Sequence, residues 1–153
     1  MVTLLLGIAL ATACDFHTPR CTCLPPREPR TSSEARQYIE PADQAVVGTV
    51  VRIDDSMAAR DSTMSWDVLL VTVVVRQRWR GAPIDTLVLR TSSQSSMCGV
   101  DFSVGGSYFV LANKRDAAGA DVRPQWVAWG CGQSRPASKA MRLRRLLGAP
   151  LAP

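Results

Sequence analysis

The residues best placed to do chemistry are Cys21 and Cys23, one residue apart in Cys21-Thr22-Cys23-Leu24-Pro25. They cannot readily bond each other, because so small a ring would be strained. In extended backbone, side chains at i and i+2 share a face, so both thiols are presented together and each seeks a distant partner. The cysteines available downstream are Cys98 and Cys131. A short N-terminal segment stapled to two separate parts of one domain is the simplest arrangement. Five cysteines are odd in number, which leaves Cys14 for a separate task. Disulfide use on this scale points to an oxidising compartment.

Other chemistry is thinly represented. His17 is the sole histidine, which argues against the common catalytic and zinc-binding constellations. No nucleophile, base and orienting group can be assembled, so the chain reads as a non-enzyme without a cofactor or a metal of its own. The neighbouring carboxylates Asp54 and Asp55 read as an exposed turn rather than an acid–base or metal pair.

Cys14 follows Met1–Ala13, a stretch without charge rich in leucine, isoleucine and alanine. Thirteen residues are too few to span a bilayer, which takes about 20, and suit the apolar part of an export signal. Leu10-Ala11-Thr12-Ala13-Cys14 resembles the bacterial lipobox, with alanine at position 11 where that pattern prefers leucine. The resemblance implies cleavage before Cys14 and diacylglycerol on its sulfur. Ordinary cleavage after Ala11-Thr12-Ala13 is the alternative and would leave a free thiol. The expected organisation is a signal peptide over 1–13, a tether over 14–20 and one domain over 21–153. The chain would then be exported: a cell-envelope lipoprotein held to the membrane through Cys14, or a secreted protein if Cys14 is unmodified. The segment from Asp15 to Arg20 reaches only about 20 Å, which would hold the domain close to the bilayer.

The elements that must position these cysteines are mostly strands. Pro25, Pro26 and Pro29 keep the segment after the cysteines extended. Thr31-Ser32-Ser33-Glu34 is a capping box that opens a short helix through Ile39, stopped by Pro41. Ala45–Ile53 is a strand, with Gly48 marking a bulge. Met64–Trp79 is a long strand, apolar on both faces at its centre, as expected of a bent strand shared between two sides of a barrel. Arg80-Gly81-Ala82-Pro83 is a turn, and Thr86–Arg90 a strand with Leu87 and Leu89 on one face. Thr91–Met97 reads as a polar loop, Gly105-Gly106 as a tight turn and Tyr108–Ala112 as a strand. Arg123–Gly130 supplies a last strand. Ser134 and Pro136 are expected to open a terminal helix with Ala137, Ala140, Met141, Leu143 and Leu147 inward and Gly148 as its stop. The four tryptophans read as core or barrel-end plugs rather than a stacking platform.

Composition agrees with one globular domain: 153 residues, 46% hydrophobic, mean hydropathy +0.03. The net charge of +5 comes from 16 arginines and two lysines against 13 acidic residues. Export and disulfides disfavour a nucleic-acid partner. Lys139, Arg142, Arg144 and Arg145 gather towards the end of the terminal helix, where they complement its dipole or face an anionic membrane surface.

This pattern predicts a mainly β fold, a small five-stranded OB-like antiparallel barrel with a short N-terminal and a C-terminal helix. Cys21-Thr22-Cys23-Leu24-Pro25-Pro26 resembles the start of mature tissue inhibitors of metalloproteinases. Trp79-Arg80-Gly81, Cys98-Gly99-Val100 and Gly105-Gly106-x-Tyr108-Phe109-Val110 resemble the wider netrin-like domain. The likeness runs over roughly Cys21 to Leu147, without the cysteines of that family's third N-domain disulfide. It implies the pairs Cys21–Cys98 and Cys23–Cys131 and a monomeric protein that binds zinc metalloproteases. In that family the α-amino group and carbonyl of the first cysteine, here Cys21, chelate the protease's zinc. Thr22 would enter the primary specificity pocket. Cys23, Leu24, Ser96, Met97 and Cys98 would line the same ridge. Cleavage before Cys14 leaves seven residues ahead of Cys21, whose nitrogen is then an amide; a second cut after Arg20 would free the amine. The alternative is an envelope-anchored binding module for a protein or an anionic glycan, without protease inhibition.

Overall fold

The computed structural model describes residues 27–54, 68–92, 99–115, 125–128, 130–131 and 133–151. The elements run in the order α1 (Ser32–Ile39), β1 (Gln44–Asp54), β2 (Val68–Arg80), β3 (Thr86–Ser92), β4 (Ser107–Arg115) and β5 (Gln125–Ala128). A two-residue β6 (Arg135–Pro136), a 3-10 turn (Ala137–Ala140) and α2 (Met141–Leu147) follow. The strands pair as β1-β2-β3-β5-β4, and β4 returns to β1, closing a five-stranded barrel of OB type. Four of the five pairings are antiparallel. The fifth, β3 with β5, is parallel, so the expected all-antiparallel barrel has one exception. The parallel pair is the necessary result of β5 entering between β3 and β4 instead of continuing the meander.

Alternation of side chains gives β1 and β4 two buried faces. Val46 and Val50 of β1 and Tyr108, Val110 and Ala112 of β4 fill the barrel with Val71, Val73, Leu87 and Leu89. Their neighbours Ala45, Val47, Phe109 and Leu111 point outward into a second cluster with Ala35 and Ile39 of α1 and Ala137, Ala140 and Leu143. The valine-rich run of β1 thus follows from the two helical segments covering its outer side. Fully burying a side chain such as Phe109 or Leu143 stabilises by roughly 1.5–3 kcal/mol.

Gly48 sits at a register shift between β1 and β2, and a Cβ there would lie 2.6 Å from Val74 O and closer still to Val73 Cγ1. The bulge expected at this position is present. Further shifts after Ala45 and Val50 bend β1 against the long β2. Beyond Val74, β2 runs past the end of β3. There the chain's C-terminal tail takes over, with Leu151 N donating to Arg78 O at 2.6 Å and Trp79 Nε1 to Gly148 O at 2.9 Å.

The capping box forms: Thr31 Oγ1 accepts from Glu34 N at 3.2 Å, and Glu34 Oε2 accepts from Arg30 N at 2.6 Å. The terminal helix differs from expectation. Ser134 is not its cap, because its hydroxyl is committed to the β4 edge, and Pro136 lies in β6 opposite Tyr108. Met141 is 60% exposed rather than inward, because the 3-10 turn ahead of it shifts the helical phase and leaves Leu143 as the buried residue. Thr91 belongs to β3, buried, rather than to a loop.

Candidate functional site

Cys14, Cys21, Thr22, Cys23, Leu24, Ser96, Met97 and Cys98 lie outside the described residues, as do His17 and Asp55. The structure does describe the places from which the two cysteine-bearing segments leave the barrel, and Cys131 itself.

Cys131 sits in an excursion between β5 and β6. The two short strands share one edge of β4: β5 pairs with Ala112–Arg115 and β6 with Tyr108 and Phe109. Between them no described residue pairs with the Leu111 backbone on that side. Ser134 Oγ supplies both halves of the missing rung, accepting from Leu111 N and donating to Leu111 O, each at 3.1 Å. Ahead of it a turn is closed by Gln133 N donating to Gly130 O at 3.0 Å. Cys131 adopts φ 52° in this turn, an uncommon conformation for a side-chain-bearing residue. It is disulfide-bonded and is the one cysteine among the described residues.

The N-terminal segment meets the domain at the same place. Glu28, five residues after Cys23, forms a two-pronged ion pair with Arg135, four residues after Cys131. Arg135 is nearly enclosed, its side chain 12% exposed, so the pair is better shielded from water than an ordinary surface salt bridge. Tyr38 of α1 stands nearby, and burial raises its phenol pKa, with the Arg135 charge opposing and that of Glu28 adding. Its Oη has no hydrogen-bond partner among the described residues. The ring lines a small pocket of ≈ 50 Å³ with Pro41, Ala42, Leu111, Asn113 and Gln133, room for little more than water.

The chain that follows Cys98 is held as firmly. Val100 N donates to the buried Thr91 Oγ1 at 3.1 Å. Tyr108 Oη accepts from Ser103 N at 2.9 Å and donates to Asp101 O at 3.0 Å, with its ring edge-on to Phe102 at 4.8 Å. Gly105 N donates to Val50 O, and Gly106 O accepts from Val50 N, fastening the turn to β1. Gly99–Gly106 is therefore a braced ledge over one barrel end.

Elsewhere the described residues offer little reactive chemistry. Asp54 accepts from Arg52 Nε at 2.7 Å and ends β1 in an ion pair. No three His, Cys, Asp or Glu side chains converge among the described residues, and no helix among them is long and apolar enough to cross a membrane. Trp79 packs against the outer cluster beside Phe109 at 6.0 Å, and Trp126 against the barrel interior. No protein-family model matches this chain, and neither does any of the curated proteins compared with it.

Sequence reasoning missed Thr91, Ser134 and Arg135 as supports. Thr91 was within reach, because Leu87, Leu89 and Thr91 form an inward period of two. Ser134 carries no local signal that separates a helix cap from a sheet-edge bridge.

Proposed function

We propose that this chain is exported as a lipid-anchored precursor and, once cut after Arg20 and so released from the lipid on Cys14, inhibits zinc metalloproteases through the Cys21-Thr22-Cys23 edge. The observation that carries the reading is the Glu28–Arg135 pair beside a disulfide-bonded Cys131. It brings the chain just after Cys23 to the chain just after Cys131, as the pairing Cys23–Cys131 requires. The braced segment following Cys98 supports the second staple, Cys21–Cys98, from the other side. The barrel, with one helix before it and one after, is the scaffold that the resemblance to tissue inhibitors of metalloproteinases implies.

The mechanism follows from ligand chemistry. A neutral α-amino nitrogen and the adjacent carbonyl oxygen of Cys21 are a bidentate pair for the open position of a protease's catalytic zinc, where they displace its water. Thr22 fills the specificity pocket, and Leu24, Ser96 and Met97 flank the cleft. Two disulfides hold this ridge in its bound shape, so little entropy is lost on association. The chemistry needs a free amine on Cys21 and hence a second cut, after Arg20.

The test compares oxidised protein beginning at Cys14 with protein beginning at Cys21 against a panel of zinc metalloproteases. Mass spectrometry of the natural N-terminus accompanies it. Inhibition confined to the Cys21 form, with that terminus found in the exported protein, is the expected result. If neither form inhibits, the reading gives way to a binding module for a protein or an anionic glycan.

A further inference from the structure

We infer that the outer face of the terminal helical segment is a docking surface for an anionic membrane. From Val122 to Pro153 the chain carries six basic residues and no acidic one. Arg135 is engaged with Glu28, and Arg144 donates to Gln77 Oε1 at 2.7 Å while lying over the Trp79 ring at 5.8 Å. Arg123 lies outside the described residues, and the remaining three cations, Lys139, Arg142 and Arg145, are exposed and make no ion pair among the described residues.

Their placement is more specific than net charge. At 3.6 residues per turn, Met141, Arg142 and Arg145 share the side of α2 opposite the buried Leu143, and Lys139 precedes them on the exposed 3-10 turn. Met141 is thus a long apolar side chain, 60% exposed, framed by three cations. This is the composition of a surface that lies on lipid headgroups: charge for the anionic layer and a flexible apolar side chain to bury at its boundary. An acidic protein partner would use the same charges but has no call on a lone central methionine without an apolar rim around it.

A second observation concerns the anchor. Through Glu28 and Arg135, the N-terminal segment meets the domain two residues ahead of the 3-10 turn. If Cys14 carries a lipid, the anchored segment meets the domain at Arg135, four residues before Lys139 in the chain. That point rests on the lipidation reading; the charge and the exposed Met141 do not.

The experiment is vesicle co-sedimentation of the oxidised mature chain carrying Cys14→Ser, so that no lipid anchor contributes. It compares phosphatidylcholine vesicles with and without roughly one-third phosphatidylglycerol. Partitioning onto the anionic vesicles alone is expected. Replacing Lys139, Arg142 and Arg145 together by Gln should weaken it on the order of 100-fold, since each cation near an anionic surface contributes about fivefold. Met141→Ser should weaken it further in low salt. A control lacking three exposed cations elsewhere (Arg52, Arg76 and Lys114 to Gln) should lose less than tenfold, and thermal melts confirm that all variants fold. Equal binding to both vesicle types, or equal losses in the two triple variants, would overturn the inference. So would no effect of Met141→Ser, which points to a purely ionic surface suited to an acidic protein.

Discussion

One hydroxyl stands in for a strand: Ser134 Oγ bonds both the N–H and the C=O of Leu111, at 3.1 Å each, where β5 has ended and β6 has not begun. Both residues are buried, so removing the hydroxyl leaves a donor and an acceptor unpaired away from water. Ser134→Ala should cost about 1–3 kcal/mol. Urea unfolding monitored by tryptophan fluorescence measures it. A loss below about 0.5 kcal/mol would mean that water reaches Leu111 and that the bridge is incidental.

Gly48 offers a sharper contrast. A methyl group there would strike Val74 O and Val73, both fixed in the barrel wall, whereas one at Gly105 meets nothing within 4 Å. Gly48→Ala should destabilise by roughly 2–4 kcal/mol as β1 is forced from β2. Gly105→Ala should cost about 1–2 kcal/mol, from its backbone at φ 82° alone. Melting temperatures of the two variants decide the order, and the reverse order would show that the Gly48 bulge can open without loss.

Much of this architecture was legible in advance. The period-two pattern of Leu87 and Leu89, the capping box at Thr31 and Glu34, and the glycines at 48 and 105 are local signals with local consequences. The parallel β3–β5 pair was not legible, because it depends on where a four-residue strand inserts after a long connection. Nor was the fate of Ser134 and Pro136: serine then proline before an apolar stripe is what a helix start looks like, and only the vacancy on the β4 edge redirects it. Of the site, the residue types were readable. The ion pair joining Glu28 to Arg135, 107 residues apart, was not, since the sequence contains many carboxylates and arginines.

The pH response should have two ends. The Arg30 amide bonded to the Glu34 carboxylate is the main cause holding its pKa below the ordinary value of 4.5, partly opposed by desolvation. A depressed folded-state pKa means that the contribution is present above that value and lost as pH falls through the lower one. Glu34→Gln should therefore flatten the acid limb of helix stability, and an NMR titration of Glu34 with a midpoint above 4.5 would contradict the cap. Tyr38 behaves oppositely: burial raises its pKa above 10.0, so its contribution is complete below that value and is lost as the phenol ionises at higher pH. Tyr38→Phe should remove that alkaline component, read by unfolding at stepped pH.

The Glu28–Arg135 pair links stability of the fold to the proposed inhibitory edge. Glu28 is half exposed, so the pair's net contribution to global stability should be small, about 1 kcal/mol. Its larger effect is local, because it fixes the segment between the cysteines and α1 against β6. Glu28→Gln should leave the melting temperature within a few degrees while raising hydrogen exchange at Arg30 and Thr31 by roughly three- to tenfold. If Cys21-Thr22-Cys23 is the inhibitory edge, the same variant in its Cys21 form should dissociate faster from a target protease with little change in association rate, since the loss is of preorganisation. Unchanged exchange would show that the ion pair does not hold the segment. Raised exchange with unaltered inhibition would place the inhibitory contact elsewhere on the domain.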